Sequence, residues 1–439
     1  MAGGSRADGV AVVALGCRVG RSDAASMAAG LGQGFRVAAD GEPADWVVVS
    51  TCAVTADAAA SSRQAVRRAA RDNPGARIVV AGCHAAMEPS LLAGLPGVAA
   101  VVPPEDHAAL PAVLALLRSG RPAPEALSAA RRTEPGWGEP PSAAHGPARP
   151  VLKVQDGCDC ACAFCVVPLA RGRGRSLPLE AAVERIARLG RERDEVVLSG
   201  VHLGAWGADL SPRRSLADLL RAAARARAVH RIRLSSVEPL ELPIDLLRED
   251  GGALLCEHFH LPLQSGSDRI LRAMGRPHDA AGWARAVEGA LRARPEAAVG
   301  ADVLVGFPGE REEDHRATLD LVTSLPLAYL HVFPFSPRPG TAAASMDDRP
   351  PAPEVERRAA ELREASARMR ARFLAAADGR PLEVVVERLE GGRAQGTSRE
   401  FAPVRFASAD AIRGRVVRLE AGAGEIRGGS GVAPGASPS

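Results

Sequence analysis

The chain has 439 residues, a formal net charge of +3 and 46% hydrophobic residues, long enough for two or three domains and apolar enough to build their cores. No apolar run approaches the length of about 18 residues needed to span a membrane, and the start, MAGGSRADGVAVV, lacks a charged leader followed by an apolar segment, so the cytoplasm is the expected compartment. Eight cysteines in a reducing compartment favour metal or catalytic use over disulfides. Nearly all positive charge is arginine, Lys153 being the only lysine, and with abundant Ala, Gly and Pro this reads as the bias of a GC-rich genome.

Residues 9–119 alternate β-branched runs with helical patterns: VAVVAL, a weaker FRVA, DWVVVS, ARIVVAG and VAAVV. This predicts an open parallel α/β sheet of the flavodoxin-like kind. Three runs end in a cysteine, Cys17, Cys52 and Cys83. Ligands of open α/β sheets bind beyond the carboxyl ends of the strands, so the three thiols are expected to converge on one iron-sulfur cluster. Three buried, inert cysteines are the plainer alternative. On the helix expected after Cys52, Arg63, Arg67, Arg68 and Arg71 recur at helical spacing, which fits a phosphate-binding row and a solvated face equally well.

Residues 120–149 are rich in proline without a hydrophobic period and read as a linker. Over 150–378 come strands near VLKVQ, DEVVLSG, RIRLSS, EHFHLPL, AVGADVLVGF and LAYLHVF. Six βα units are too few for an eight-fold barrel and predict an open partial (β/α)6 barrel, followed by a long helix from about Pro353 to Ala377. Residues 379–428 carry LEVVVERLE, APVRF and GRVVRLEA between glycines, the pattern of a small all-β barrel, and the tail at 429–439 should be disordered.

Directly after the first barrel strand, QDGCDCACAFCVVPLARGRGRS places Cys158, Cys162 and Cys165 in CxxxCxxC spacing. Three thiolates holding a [4Fe-4S] cluster leave one iron open to chelate a small molecule. A zinc site would want a second short-spaced pair, and none follows. Cys160 offers a second set, CxCxxC, and is read as a bystander; Cys256 reads as buried and inert.

With two three-cysteine sets in this order, the chain resembles the methylthiotransferases of the radical-SAM superfamily over nearly its whole length. The segments TCAVTADAAASSRQAVRRAARDNPGARIVVAGC, RIRLSSVEP, HLPLQSGSDRILRAMGRP, GADVLVGFPGE and HVFPFSPRPGTAA look most like the bacterial branch acting on N6-threonylcarbamoyladenosine at position 37 of tRNA. Sister branches act on isopentenyladenosine of tRNA or on an aspartate of a ribosomal protein; a non-catalytic iron-sulfur RNA-binding protein and a two-cluster redox sensor are the competitors from other classes. The resemblance implies an N-terminal methylthiotransferase domain, a radical-SAM core and a TRAM-like RNA-binding domain. It also implies two [4Fe-4S] clusters, one on Cys17, Cys52 and Cys83 as a route for sulfur, the other on Cys158, Cys162 and Cys165. There S-adenosylmethionine (SAM) is chelated and cleaved to a 5′-deoxyadenosyl radical that takes hydrogen from C2 of the adenine.

By motif position Phe164 is expected against the SAM adenine, Ser199 and Gly200 near its methionine part, Ser235 and Glu238 on the ribose, and Gln264 at the fourth strand end. His260 and His331 read as strand residues. Arg171, Arg173 and Arg175 are expected to hold phosphates of the anticodon stem-loop, and Phe401 stands at an aromatic position of the TRAM-like domain. A reductant such as flavodoxin or ferredoxin and a monomeric state are implied. Gly20, Ser50 and His84 stand where the family commonly has Asn, Asn and Tyr, which puts hydrogen bonding around the first cluster in question.

Overall fold

The computed structural model describes residues 7–32, 34–39, 41–131, 137, 146–408 and 410–426. The tail at 429–439 and part of the linker lie outside them. Among the described residues no helix is long and apolar enough to cross a membrane.

The N-terminal sheet comprises β1 (Asp8–Ala14), β2 (Phe35–Val37), β3 (Trp46–Thr51), β4 (Arg77–Gly82) and β5 (Val98–Val102). All pairings are parallel, in the order β2-β1-β3-β4-β5, which is the flavodoxin-like doubly wound order. Both faces are covered, which is why its strands read as unbroken apolar runs. Val10, Val48 and Val79 pack on one side with Ala24 and Met27 of α1 (Arg18–Ala29); Val47, Val49 and Val80 pack on the other with Val66 and Ala69 of α2 (Ala56–Asp72). Each such fully buried side chain contributes about 1.5–3 kcal/mol. The register aligns Ala14 with Ser50 and Ser50 with Ala81. The loops carrying Cys17, Cys52 and Cys83 therefore leave the sheet at one edge.

The central domain has β6 (Val151–Asp156), the short antiparallel β7 (Arg175–Ser176), β8 (Glu195–Gly200), β9 (Arg231–Leu234), β10 (His258–His260), β11 (Ala298–Val305) and β12 (Tyr329–Pro334). Parallel ladders join β6-β8-β9 and β10-β11-β12, and bridges Ile232–Leu255 and Ser236–His260 connect the two groups. Six parallel strands thus form the expected partial barrel. Leu152, Val154, Val196, Leu198, Ile232, Phe259, Val299, Val303 and Val305 point outward onto the helices. The alternate positions, Lys153, Gln155, Glu195, Ser199, Arg231, Arg233, His258, His260, Asp302, Tyr329 and His331, line a polar lumen. The closing helix, Ala352–Ala377, is tied to β12 through Ser366, whose Oγ accepts from Leu330 N at 2.8 Å.

The C-terminal strands β13 (Leu382–Glu390), β14 (Arg393–Ser398), β15 (Pro403–Ala407), β16 (Val416–Leu419) and β17 (Glu425–Ile426) form an antiparallel sheet in the order β16-β13-β14-β15-β17. The sheet closes the lower end of the lumen. Arg231 donates to Glu383 O (3.0 Å) and Arg233 to Ser398 O (3.0 Å), while Phe401 stacks on His258 at 3.9 Å and lies under the Arg233 guanidinium. Phe401, at the aromatic position of the expected TRAM-like domain, is buried and seals this joint.

Glu195 is the anion of that floor, accepting from Arg231 Nε (2.8 Å) and Arg233 Nε (2.7 Å). Burial pushes its carboxyl up, but Arg233, Arg231 and Arg149 outweigh burial and bring it down to about 2 from 4.5. A depressed carboxylate stabilises the fold fully above its unfolded pKa and ceases to do so as pH falls through the folded one. The two values correspond to about 3 kcal/mol lost between roughly pH 5 and pH 2. Glu195→Gln should therefore start less stable at neutral pH, by about 3–5 kcal/mol. Its melting temperature should fall less steeply on acidification; parallel melting curves for variant and parent would contradict this.

Two segments differ from expectation. Ala123–Arg131, inside the proline-rich stretch, is a helix whose Ala123 and Leu127 pack on the N-terminal core; Pro124 sits in its first turn, where the missing N–H costs nothing. Strand β14, RAQGTS, lacks an apolar period and is held by pairing on both edges, to β13 and β15.

Candidate active site

The loop after β6 carries Cys158, Cys162 and Cys165, each half-buried. Gln155 fixes its entry by donating to Gly157 O (2.8 Å) and accepting from His202 N (2.6 Å), which ties this loop to the one following β8. Met274 O accepts from Ala163 N (2.9 Å), and a Cβ on Gly275 would stand 3.0 Å from Ala161 O, so the loop is also braced from the 268–276 segment. Arg276 Nη1 donates to Cys162 Sγ at 3.4 Å and its Nη2 pairs with Glu238. His202 Nδ1 lies 3.8 Å from Cys158 Sγ and 3.6 Å from Cys160 Sγ, with Nε2 on Glu241 at 2.8 Å. Burial raises the Cys158 thiol, but the His202 hydrogen bond leads the contacts that leave it below its ordinary value; burial and then Cys158 push Cys160 up to about 12. Burial likewise pushes Cys165 up to about 11.

At the N-terminal sheet edge, Cys17 caps α1 while Cys52 and Cys83 follow β3 and β4. A Cβ on Gly16, at φ +88°, would lie 2.7 Å from Cys52 Cβ, and one on Gly82, at φ +101°, 2.4 Å from Thr51 O. Only glycine permits both approaches. Burial raises Cys83 to about 11, and the charges of Cys17 and Cys52 press the same way. Burial raises the Cys52 thiol as it does Cys83, and a set of three free thiols at these loops fits a cationic group that displaces protons on binding. The loop at Cys158, Cys162 and Cys165 fits a [4Fe-4S] cluster by donor set and spacing. Of the departures from family pattern, Ser50 Oγ reaches Gly20 O at 3.4 Å and His84 Nε2 bonds Glu88 at 2.6 Å, so both side chains bond locally.

Between the two cysteine sets runs a buried ionic network. Arg171 donates to Asp156 Oδ1 (2.8 Å), Asp23 Oδ2 (2.8 Å) and Cys83 Sγ (3.1 Å); Lys153 bonds Asp156 (2.7 Å) and Asp23 (2.5 Å). Burial opposes both carboxylates, yet Lys153 and Arg171 hold Asp23 and Asp156 below the usual range. This overturns the expectation that Arg171 binds RNA phosphate: its side chain is 2% exposed and every contact is internal. Arg173 is 93% exposed against Asp159, and Arg175 is half exposed beside Asp156 and Trp137. Those two remain accessible.

The other expected residues surround the same end of the lumen. Phe164 packs beside Ile270, Phe307 and Phe335. Ser199 is buried at the end of β8, and a Cβ on the adjoining Gly200 would stand 2.9 Å from Gln155 Cβ. Ser235 Oγ is buried with no partner among the described residues, a hydroxyl left free for a ligand. Gln264, at φ +72°, is held by Asp302 O. Deeper in the lumen Tyr329 OH joins His258 Nε2 (2.8 Å) to His260 Nδ1 (3.1 Å), and Asp302 Oδ1 joins His260 (2.9 Å) to His331 (3.2 Å). His260 and His331 are strand residues, as expected, but with Asp302 they also make a linked polar group. His202, Arg276, Gln155 and Asp23 were not singled out from sequence, although Gln155 and Arg276 lie inside quoted segments and His202 stands two residues beyond Gly200.

Residues 152–322 match the radical SAM superfamily, and residues 9–103 match a family described as uncharacterized protein family UPF0004. A threonylcarbamoyladenosine tRNA methylthiotransferase MtaB of Aquifex aeolicus is 34% identical over 380 residues, covering 86% of this chain and 92% of its own. The chain belongs to the radical-SAM methylthiotransferase family. A tRNA-2-methylthio-N(6)-dimethylallyladenosine synthase of Erythrobacter litoralis is 33% identical over 386 residues, 86% of each chain. Identity therefore does not separate the two substrates. Among solved structures, the radical S-adenosylmethionine methyltransferase TsrM of Kitasatospora setae, with cobalamin and a [4Fe-4S] cluster bound, aligns with a TM-score of 0.56 at 16% identity over 77% of both chains. That likeness is one of fold.

Proposed function

We propose that this radical-SAM enzyme is a tRNA methylthiotransferase that converts N6-threonylcarbamoyladenosine at position 37 to its 2-methylthio derivative. The observation carrying the reading is the pairing of two three-cysteine sets, each at strand ends, across the Arg171 network. One set alone serves radical formation; sulfur transfer to an unactivated carbon needs a second centre. Cys158, Cys162 and Cys165 would hold one [4Fe-4S] cluster, which would supply the electron for SAM cleavage, and Cys17, Cys52 and Cys83 would hold a second as a source or relay of sulfur.

The chain's own residues then have separate tasks. Arg276 positions Glu238 beside Cys162, and Glu238 and the buried Ser235 hydroxyl meet the ribose of SAM. Phe164, Ser199, Gly200 and Gln264 line the surrounding strand ends and loops. Arg173 and Arg175 meet the anticodon stem-loop, and the antiparallel sheet at 379–428 acts as a TRAM-like RNA-binding domain. The domain division 9–119, 150–378 and 379–428, a flavodoxin or ferredoxin reductant, a monomeric state and a cytoplasmic location belong to the same reading.

Nucleoside mass spectrometry of tRNA from a strain lacking the gene tests it. The 2-methylthio-threonylcarbamoyl nucleoside should vanish, return with the intact gene, and stay absent with a Cys17, Cys52, Cys83 triple alanine variant. Loss of the dimethylallyl derivative instead would move the substrate; no change in either would remove tRNA as the target.

A further inference from the structure

Arg18 stands next to Cys17 in the first turn of α1. Residues four apart share a helix face. On that face Ser22 donates to Val151 O (3.0 Å) and accepts from Lys153 N (3.2 Å) of β6. The same face carries Arg18 toward the barrel lumen, into the fields of Tyr329, Arg149, Arg233 and Asp302. Among the described residues it makes neither a hydrogen bond nor an ion pair. The acid acting on it is committed elsewhere: Asp302 Oδ1 is shared by His260 and His331. A partly desolvated guanidinium without an anion is costly unless one arrives.

Of the two adenosine substituents named by the relatives, threonylcarbamoyl carries a carboxylate and dimethylallyl is apolar. We propose that Arg18 binds the carboxylate of the N6-substituent and is the specificity-determining residue for threonylcarbamoyladenosine. This rests on the reading of the chain as a tRNA adenosine methylthiotransferase. A planar fork meeting a carboxylate forms two charge-assisted bonds, and a site built for that pair leaves a buried charge unpaired when the substituent is neutral.

The test uses the full-length, reconstituted enzyme and anticodon stem-loops bearing threonylcarbamoyladenosine or its neutral methyl ester. The parent should prefer the acid in kcat/KM by roughly 10- to 100-fold. Arg18→Gln should erase that preference by losing turnover of the acid, Arg18→Lys should restore part of it, and the iron content of both variants should equal the parent's. Equal losses on the acid and the ester, or a fall in iron, would show that Arg18 serves the neighbouring cysteines and overturn the inference. If the parent modifies the acid and Arg18→Gln still prefers it, this inference alone fails. If the parent modifies neither RNA, the proposed function fails with it.

Discussion

Arg171→Met should uncouple the N-terminal sheet from the barrel. Its guanidinium is the common partner of Asp23 in one domain and Asp156 in the other, and it also touches Cys83. Removing it leaves two buried carboxylates facing Lys153, with His107 Nδ1 3.3 Å from Asp23 and Arg175 3.6 Å from Asp156 as the other basic side chains in reach. Breaking a buried pair in this way costs about 3–5 kcal/mol, enough to lower the first melting transition on the order of 10 °C. Because Cys83 loses the Arg171 guanidinium as a side-chain donor, reconstituted iron should also fall, by about half if the Cys158 loop loads independently. Differential scanning calorimetry and iron determination on one preparation read both effects. A variant that melts and loads like the parent would mean that the network is decorative. The charge-preserving Arg171→Lys should recover little, since one ammonium cannot reach three partners with a planar fork.

The second large effect separates two neighbouring thiols. Cys162→Ser should abolish 5′-deoxyadenosine formation from SAM, a loss of three orders of magnitude or more, beyond the roughly 10- to 100-fold of an outer-shell change. Cys160→Ser should stay within about threefold of the parent, since a serine hydroxyl replaces a thiol that the Cys158, Cys162, Cys165 set does not use. The arrangement makes the comparison informative, because Cys158, Cys160 and His202 bring ligand atoms within 4.8 Å of one another. Were Cys160→Ser the inactive variant, Cys160 rather than Cys158 would be the first ligand. Product chromatography after reduction with dithionite suffices.

How much of this was legible in the sequence depended on range. The strand ends at Cys17, Cys52 and Cys83 could be read because each follows an apolar run that stops at or near a glycine or small polar residue, a purely local signal. The CxxxCxxC loop was legible for the same reason. Arg171 was not. Its position after the cysteine loop, among other arginines, suggested a phosphate ligand, whereas its fate is set by Asp23, 148 residues away. His202 and Arg276 escaped for that reason too: each reaches a cysteine more than forty residues distant. Strand β14 was missed because pairing on both sides, rather than its own side chains, holds RAQGTS extended. Phe401 carried a correct type in an unforeseen setting, stacked beneath the barrel.

The chain's lone lysine closes the argument in a practical way. Lys153 Nζ is locked between Asp23 and Asp156 with its side chain 11% exposed, so reagents that acylate amines find almost nothing to modify while the two domains stay together. Any acylation at this position records an opening of the joint between them. The protein thus carries a native single-lysine reporter for that motion, read by peptide mapping, which separates Lys153 from the terminal amine, without introducing a label.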